Sequence, residues 1–153
     1  MSSKPVSAVR GFRLAIEPAD SDTYGIRLEE FNGAPNSVAI AARVPPERLA
    51  PFLPSVRSAL RESGHQQTIV GPSRRAPVVI TEPAGVRLAL AINAAAPLNR
   101  PSRRQAVLEG VASMSDEEAY YWYAKTTRSE SGNRAIRALR ILLADDGRSG
   151  ITA

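Results

Sequence analysis

The sequence predicts an α+β protein: a small, mostly antiparallel sheet of three to four strands packed by helices, with a helical C-terminal half. Three observations carry that prediction. Apolar residues alternate at Phe12, Leu14 and Ile16, again at Tyr24, Ile26 and Leu28, and again at Val38, Ile40, Ala42 and Val44, the period-two signature of half-buried strands. The connections between these runs are short and rich in turn residues, which favours an antiparallel meander. From Glu82 onward the apolar spacing changes to the three-to-four-residue repeat of helices.

The elements follow in the order βββ-α-β-αααα. The first strand ends at Pro18, and Ala19 to Thr23 has a turn composition around Asp20, Ser21 and Asp22. Phe31 falls out of phase with Tyr24, Ile26 and Leu28, which a bulge at Glu29-Glu30 would explain. Asn32-Gly33 signals the turn into the third strand. Pro45 and Pro46 stop that strand. With Pro51 and Pro54 tolerable only where amides lack helical partners, a short turn at 46–50 and a helix from about 51 to 63 are expected. Gly64 is its stop. GPSRRAP, residues 71–77, is an extended loop presenting Arg74 and Arg75, and Pro77 to Thr81 reads as a fourth strand.

Thr81 caps the next helix, with Glu82 and Pro83 in its first turn. Ala84 to Ala96 is apolar nearly all round, Arg87 and Asn93 excepted, so this helix is expected to be packed on both sides. Pro97 ends it. Asn99 is a cap candidate for a further helix whose buried side is Val107, Leu108, Val111 and Met114, and whose first turn is crowded by Arg100, Arg103 and Arg104. Positive charge there opposes the helix dipole, a local cost that proteins sometimes retain for a partner.

Ser115 with Glu118 forms a capping box, and Asp116, Glu117 and Glu118 place negative charge at the positive end of a helix starting at Asp116. That helix carries Tyr120, Tyr121, Trp122 and Tyr123. Four successive aromatics cannot share one face at 100° per residue, so they are read as core or interface residues. The alternative is a base-stacking platform assisted by Lys125 and Arg128. After a polar break at Thr126 to Asn133, a last helix to about Ala144 sets Ala135, Ile136, Leu139, Leu142 and Leu143 on an apolar stripe. Arg134, Arg137 and Arg140 form a drifting ridge on the other side.

The run MSDEEAYYWYAKTT (114–127), followed by RAIRALRILLA (134–144), resembles the signature of an uncharacterised family of small bacterial proteins. The similarity extends to RGFRLAIEP, EEFNG, RESG, SRRAP and TEPAGVRLAL. The resemblance implies no assigned activity and no catalytic residues. It does imply relatives in bacterial anti-phage gene clusters, and so a subunit of a nucleic-acid-handling assembly.

Organisation is expected as a flexible arm (1–10), a single α+β domain (11–146, with a sheet-rich half to 81 and a helical half from 82) and a flexible tail (147–153). The absence of cysteine excludes disulfides and thiolate chemistry. MSSKPVSAVR has no apolar signal region, and no stretch approaches the roughly 18 apolar residues of a membrane span. A cytoplasmic protein without membrane association is therefore expected. His65, the sole histidine, directly follows a helix stop, where a surface or capping role is expected; no metal ligand set is visible. No phosphate-binding loop, dinucleotide fingerprint or nucleophile elbow occurs, so no cofactor is expected. Among paired carboxylates, only Glu29-Glu30 lacks a capping or terminal explanation, and it is the sole anchor for a hydrolase reading.

The net charge is +5, and lysine occurs only at Lys4 and Lys125. Between Gly71 and Arg104 six arginines face one acid, Glu82, an excess equal to that of the whole chain. Concentrated charge favours an anionic partner. The expectation is a non-catalytic accessory or adaptor subunit whose partners are other protein subunits, DNA or RNA. Its candidate contacts are Arg74, Arg75, Arg100, Arg103, Arg104, Arg134, Arg137 and Arg140.

Overall fold

Four antiparallel strands form one sheet in the order β3-β2-β1-β4: β1 is Arg10–Pro18, β2 Tyr24–Asn32, β3 Val38–Val44 and β4 Val78–Ile80. Two short 3-10 turns, Pro46–Arg48 and Ala50–Phe52, lead into α1 (Leu53–Glu62). Four further helices follow: α2 (Glu82–Ala95), α3 (Pro101–Ser113), α4 (Asp116–Arg128) and α5 (Gly132–Arg140), the last running into a wider π-type turn at Ile141–Asp145. The structure is a computed structural model and describes residues 10–20, 23–32, 38–65, 77–128 and 131–145. Residues 1–9 of the expected arm, the Ser21-Asp22 and Gly33 turn residues, the loop bearing Arg74 and Arg75, and the expected tail at 147–153 lie outside them, whereas Arg10, expected in the arm, begins β1. The fold is α+β with a helical C-terminal half. No helix of the described residues is long and apolar enough to cross a membrane.

The chain divides after Gly85 into two compact units, Met1–Gly85 and Val86–Ala153, the division falling within α2. In the first unit one sheet face carries the core: Phe12, Leu14, Ile26, Leu28, Ala42, Val44 and Ile80 are buried, as are Leu49, Phe52, Val56, Ala59 and Leu60 from the turns and α1. Gly85, in the first turns of α2, sits where any Cβ would strike the Phe12 ring.

The end of α1 is locally specified. Gly64 has φ +85°, open to glycine at no steric cost. The His65 amide donates to the Leu60 carbonyl at 2.9 Å and the Gly64 amide to Arg61 at 3.1 Å, the paired bonds of a Schellman stop. Ser63 Oγ donates to the Ala59 carbonyl at 2.8 Å and accepts the Thr81 amide at 3.0 Å. His65 Nε2 lies 2.8 Å from the Val79 carbonyl, so it carries the proton in that bond. Both side chains thus tie the end of α1 to β4 and the start of α2.

The outer sheet face differs from the sequence expectation. Phe31 is out of phase with Leu28 because it faces outward with Glu29, Arg27 and Arg13, its ring lying over Gly11. The irregularity falls opposite Leu28 and Glu29: Leu28 pairs with Ala42 and Glu29 with Ile40, so β3 carries the extra residue, Ala41. An extra residue reverses the side-chain phase of a strand. That is why Ala42 and Val44 are buried while Val38 and Ile40 are exposed, although all four share one period in the sequence.

In the second unit, α3 buries Val107, Leu108 and Val111, and α4 buries Ala119 and Tyr123. The predicted capping box is formed: the Glu118 amide donates to Ser115 Oγ and the Ser115 amide to Glu118 Oε1, both at 3.1 Å. Met114 and Ala119 are both buried beside it, the positions of a hydrophobic staple. Asn99 does not cap α3. Arg100 occupies that position with ψ 121° and makes no side-chain cap bond, because the residue before Pro101 is driven to extended backbone. On α5 only Leu139 of the expected stripe is fully buried; Ala135, Ile136 and Leu143 are half-buried and Leu142 is exposed.

Candidate functional site

The last carbonyls of a helix lack intrahelical donors and carry the negative end of its dipole. At the end of α2 an arginine from α5 supplies those donors. Arg140 Nε donates to the Ala94 carbonyl at 2.7 Å and Nη2 to that of Asn93 at 3.5 Å. A few residues on, Arg104 Nη1 donates to the Leu98 carbonyl at 3.2 Å. Two guanidinium groups from two helices therefore hold the corner where α2 turns into α3.

Arg140 reaches inward for a geometric reason. Residues three apart on a helix fall about 60° short of a full turn, so a ridge at 134, 137 and 140 rotates around the axis. Arg134 and Arg137 remain exposed, whereas Arg140, beside buried Leu139, is half-buried. Burial, followed by the positive charges of Arg103 and Arg137, holds the Arg140 guanidinium below its ordinary value. The charges of Arg103 on α3 and Arg137 on α5 thus both bear on Arg140 beside the end of α2.

The eight arginines singled out in the sequence divide accordingly. Arg103, Arg104, Arg137 and Arg140 belong to this corner; Arg103 and Arg104 are half-buried. Arg100 is exposed at the start of α3 and Arg134 is exposed one turn before Arg137. Arg74 and Arg75 lie outside the described residues. Among the described residues no carboxylate pairs with Arg100, Arg134 or Arg137.

Other arginines are absorbed structurally. Across the outer sheet face a ladder runs Arg13–Glu29–Arg27–Glu17–Arg43, with closest N···O distances of 3.7, 3.5, 3.3 and 3.0 Å in turn. The Arg13 guanidinium also stands 5.2 Å from the Phe31 ring centre. Glu29 is committed to two arginines, and Glu30, its neighbour along the strand, points to the opposite face. The two carboxylates therefore do not form an acid pair.

Arg87, the lone charge in the apolar run Ala84 to Ala96, is not among the eight candidate contacts. It donates to the Met114 carbonyl at 2.6 Å and pairs with Asp116 at 2.7 Å, pinning the α3–α4 corner. The available signal was its isolation on an apolar helix, where a charged head must find partners.

The aromatic run is divided by the helix. Tyr123 is buried, Tyr120 and Trp122 are half-buried, and Tyr121 is 56% exposed. Tyr121 meets Trp122 edge-on with centroids 5.4 Å apart, and Lys125 Nζ lies 5.5 Å from the Tyr121 ring centre. His65 and Ser63 are engaged with backbone groups as described above. No group of three or more His, Asp or Glu suited to a metal ion occurs among the described residues.

A family model described as a domain of unknown function (DUF7680) matches residues 12–145. No curated protein and no solved structure matches the chain.

Proposed function

The chain belongs to the DUF7680 family, a domain of unknown function, and from this premise we propose that it is a non-catalytic accessory subunit of a larger bacterial complex, docking to an anionic partner through the arginines of its helical unit. One observation carries the reading: α5 presents Arg134 and Arg137 exposed beside Arg140, which is fixed by backbone carbonyls and feels the charges of Arg103 and Arg137. Like charges brought together cost free energy in the isolated protein, and a partner of opposite sign recovers it. On the outer sheet face, by contrast, Arg13, Arg27 and Arg43 are each paired with Glu17 or Glu29. Glu29, one of the two carboxylates on which a hydrolase reading rests, is paired with Arg13 and Arg27. An anti-phage assembly is the setting that the sequence resemblance implies.

Purification of the tagged protein from native lysate tests this reading. Partner recovery is expected for the wild type and for Arg57→Glu on α1, and is expected to be lost for Arg134→Glu/Arg137→Glu. Equal recovery by all three proteins would remove the helical unit's arginines from the interaction.

A further inference from the structure

Building on that docking reading, we infer that the anionic partner is the sugar–phosphate backbone of a nucleic acid, gripped without base reading by the exposed Arg134 and Arg137 on α5 and Arg100 on α3. Arg104 and Arg140 hold the corner in shape. α5 reads GNRAIRALR and contains no acidic residue, so its exposed charges form a single-sign row. Protein partners are commonly set in register by mixed complementary charges around an apolar centre. A single-sign row carries no register information and fits a polymer of uniform charge.

Spacing agrees. Arg134 and Arg137 are both exposed and lie about 4.5 Å apart along the helix axis. A nucleic-acid strand offers one phosphate per roughly 3.4 Å of its own axis. The planar guanidinium also matches phosphate oxygens two at a time. Base stacking is not part of the grip. Of the four aromatics on α4 only Tyr121 is exposed, with Lys125 over its ring, so no row of open rings accompanies the arginines.

Fluorescence anisotropy with labelled single- and double-stranded DNA and RNA of unrelated sequences tests the inference on the full chain. Affinity is expected to fall linearly with log salt, with a duplex slope of about −3 for three phosphate contacts. Unrelated sequences should bind alike. Arg134→Glu/Arg137→Glu should weaken binding by at least about tenfold and flatten the slope by about two. Its melting curve should match the wild type, since both side chains are exposed. Absent or salt-insensitive binding to every oligonucleotide overturns the inference. In that event, a lysate partner that survives nuclease treatment and is lost with the double variant leaves the docking reading standing, with a protein as the occupant; the exposed Ile141 and Leu142 just beyond α5 are where such a partner would find apolar surface. Loss of neither nucleic acid nor protein removes both readings.

Discussion

Arg140 shows how a charged side chain in an arginine-rich sequence acquires a structural task. Its head replaces the donors that the last turn of α2 lacks, so Arg140→Met should cost about 1.5–3 kcal/mol, the range for hydrogen bonds to charged groups. Urea denaturation measures this; an unchanged midpoint would mean that water serves the Asn93 and Ala94 carbonyls equally well. Gly110 makes the complementary case within α3. Alanine in a helix interior ordinarily gains about 1 kcal/mol over glycine. Here a Cβ would lie 2.6 Å from Leu143 Cδ2 and 3.1 Å from its Cβ and Cγ. Gly110→Ala is therefore expected to destabilise by about 1–3 kcal/mol, the cost of overpacking. A rise in the melting temperature would show that Leu143 yields without penalty.

At the scale of elements, the boundaries that the sequence reveals are those specified by neighbouring residues. Ser115 and Glu118 set the start of α4 through bonds within four residues, and Gly64 sets the end of α1. Ser115→Ala should cost about 1 kcal/mol, as capping residues do, and chemical denaturation with unchanged m-value would register it. A wild-type midpoint for Ser115→Ala would mean that Asp116 and Glu117 alone suffice at the helix end. What the sequence did not reveal depended on partners far along the chain. The phase of Phe31 is explained by Gly11 across the sheet, and the exposure of Ile40 by the extra residue Ala41 relative to β2. The candidate site was half legible for the same reason. Arg100, Arg103 and Arg104 stood out as charges on the wrong end of a helix. The inward turn of Arg140 follows from helix drift, but its acceptors, forty-six and forty-seven residues away, leave no trace in local spacing. Arg87 was visible only as a lone charge in an apolar run.

For the whole molecule, the account rests on where its positive charge is available. On the outer sheet face, Arg13, Arg27 and Arg43 alternate with Glu29 and Glu17, so each of these three arginines already has a carboxylate partner. Exposed pairs of this kind each contribute little stability, about 0–1 kcal/mol, and their consequence here is neutralisation. In the helical unit, Arg137 and Arg134 remain exposed beside a corner that already holds Arg103, Arg104 and Arg140. Segregation of this kind is a property of the fold, since the +5 total alone says nothing about its location.

The most direct measurement compares single charge reversals that change the net charge equally but lie in different places: Arg137→Glu on α5, Arg57→Glu on α1 and Arg43→Glu on β3. Each variant is eluted from a phosphate-bearing matrix with a salt gradient. The account predicts that Arg137→Glu elutes at distinctly lower salt, while the other two stay near the wild type. Equal displacement of all three would show that the protein meets polyanions through its net charge alone, and would contradict a docking surface on the helical unit.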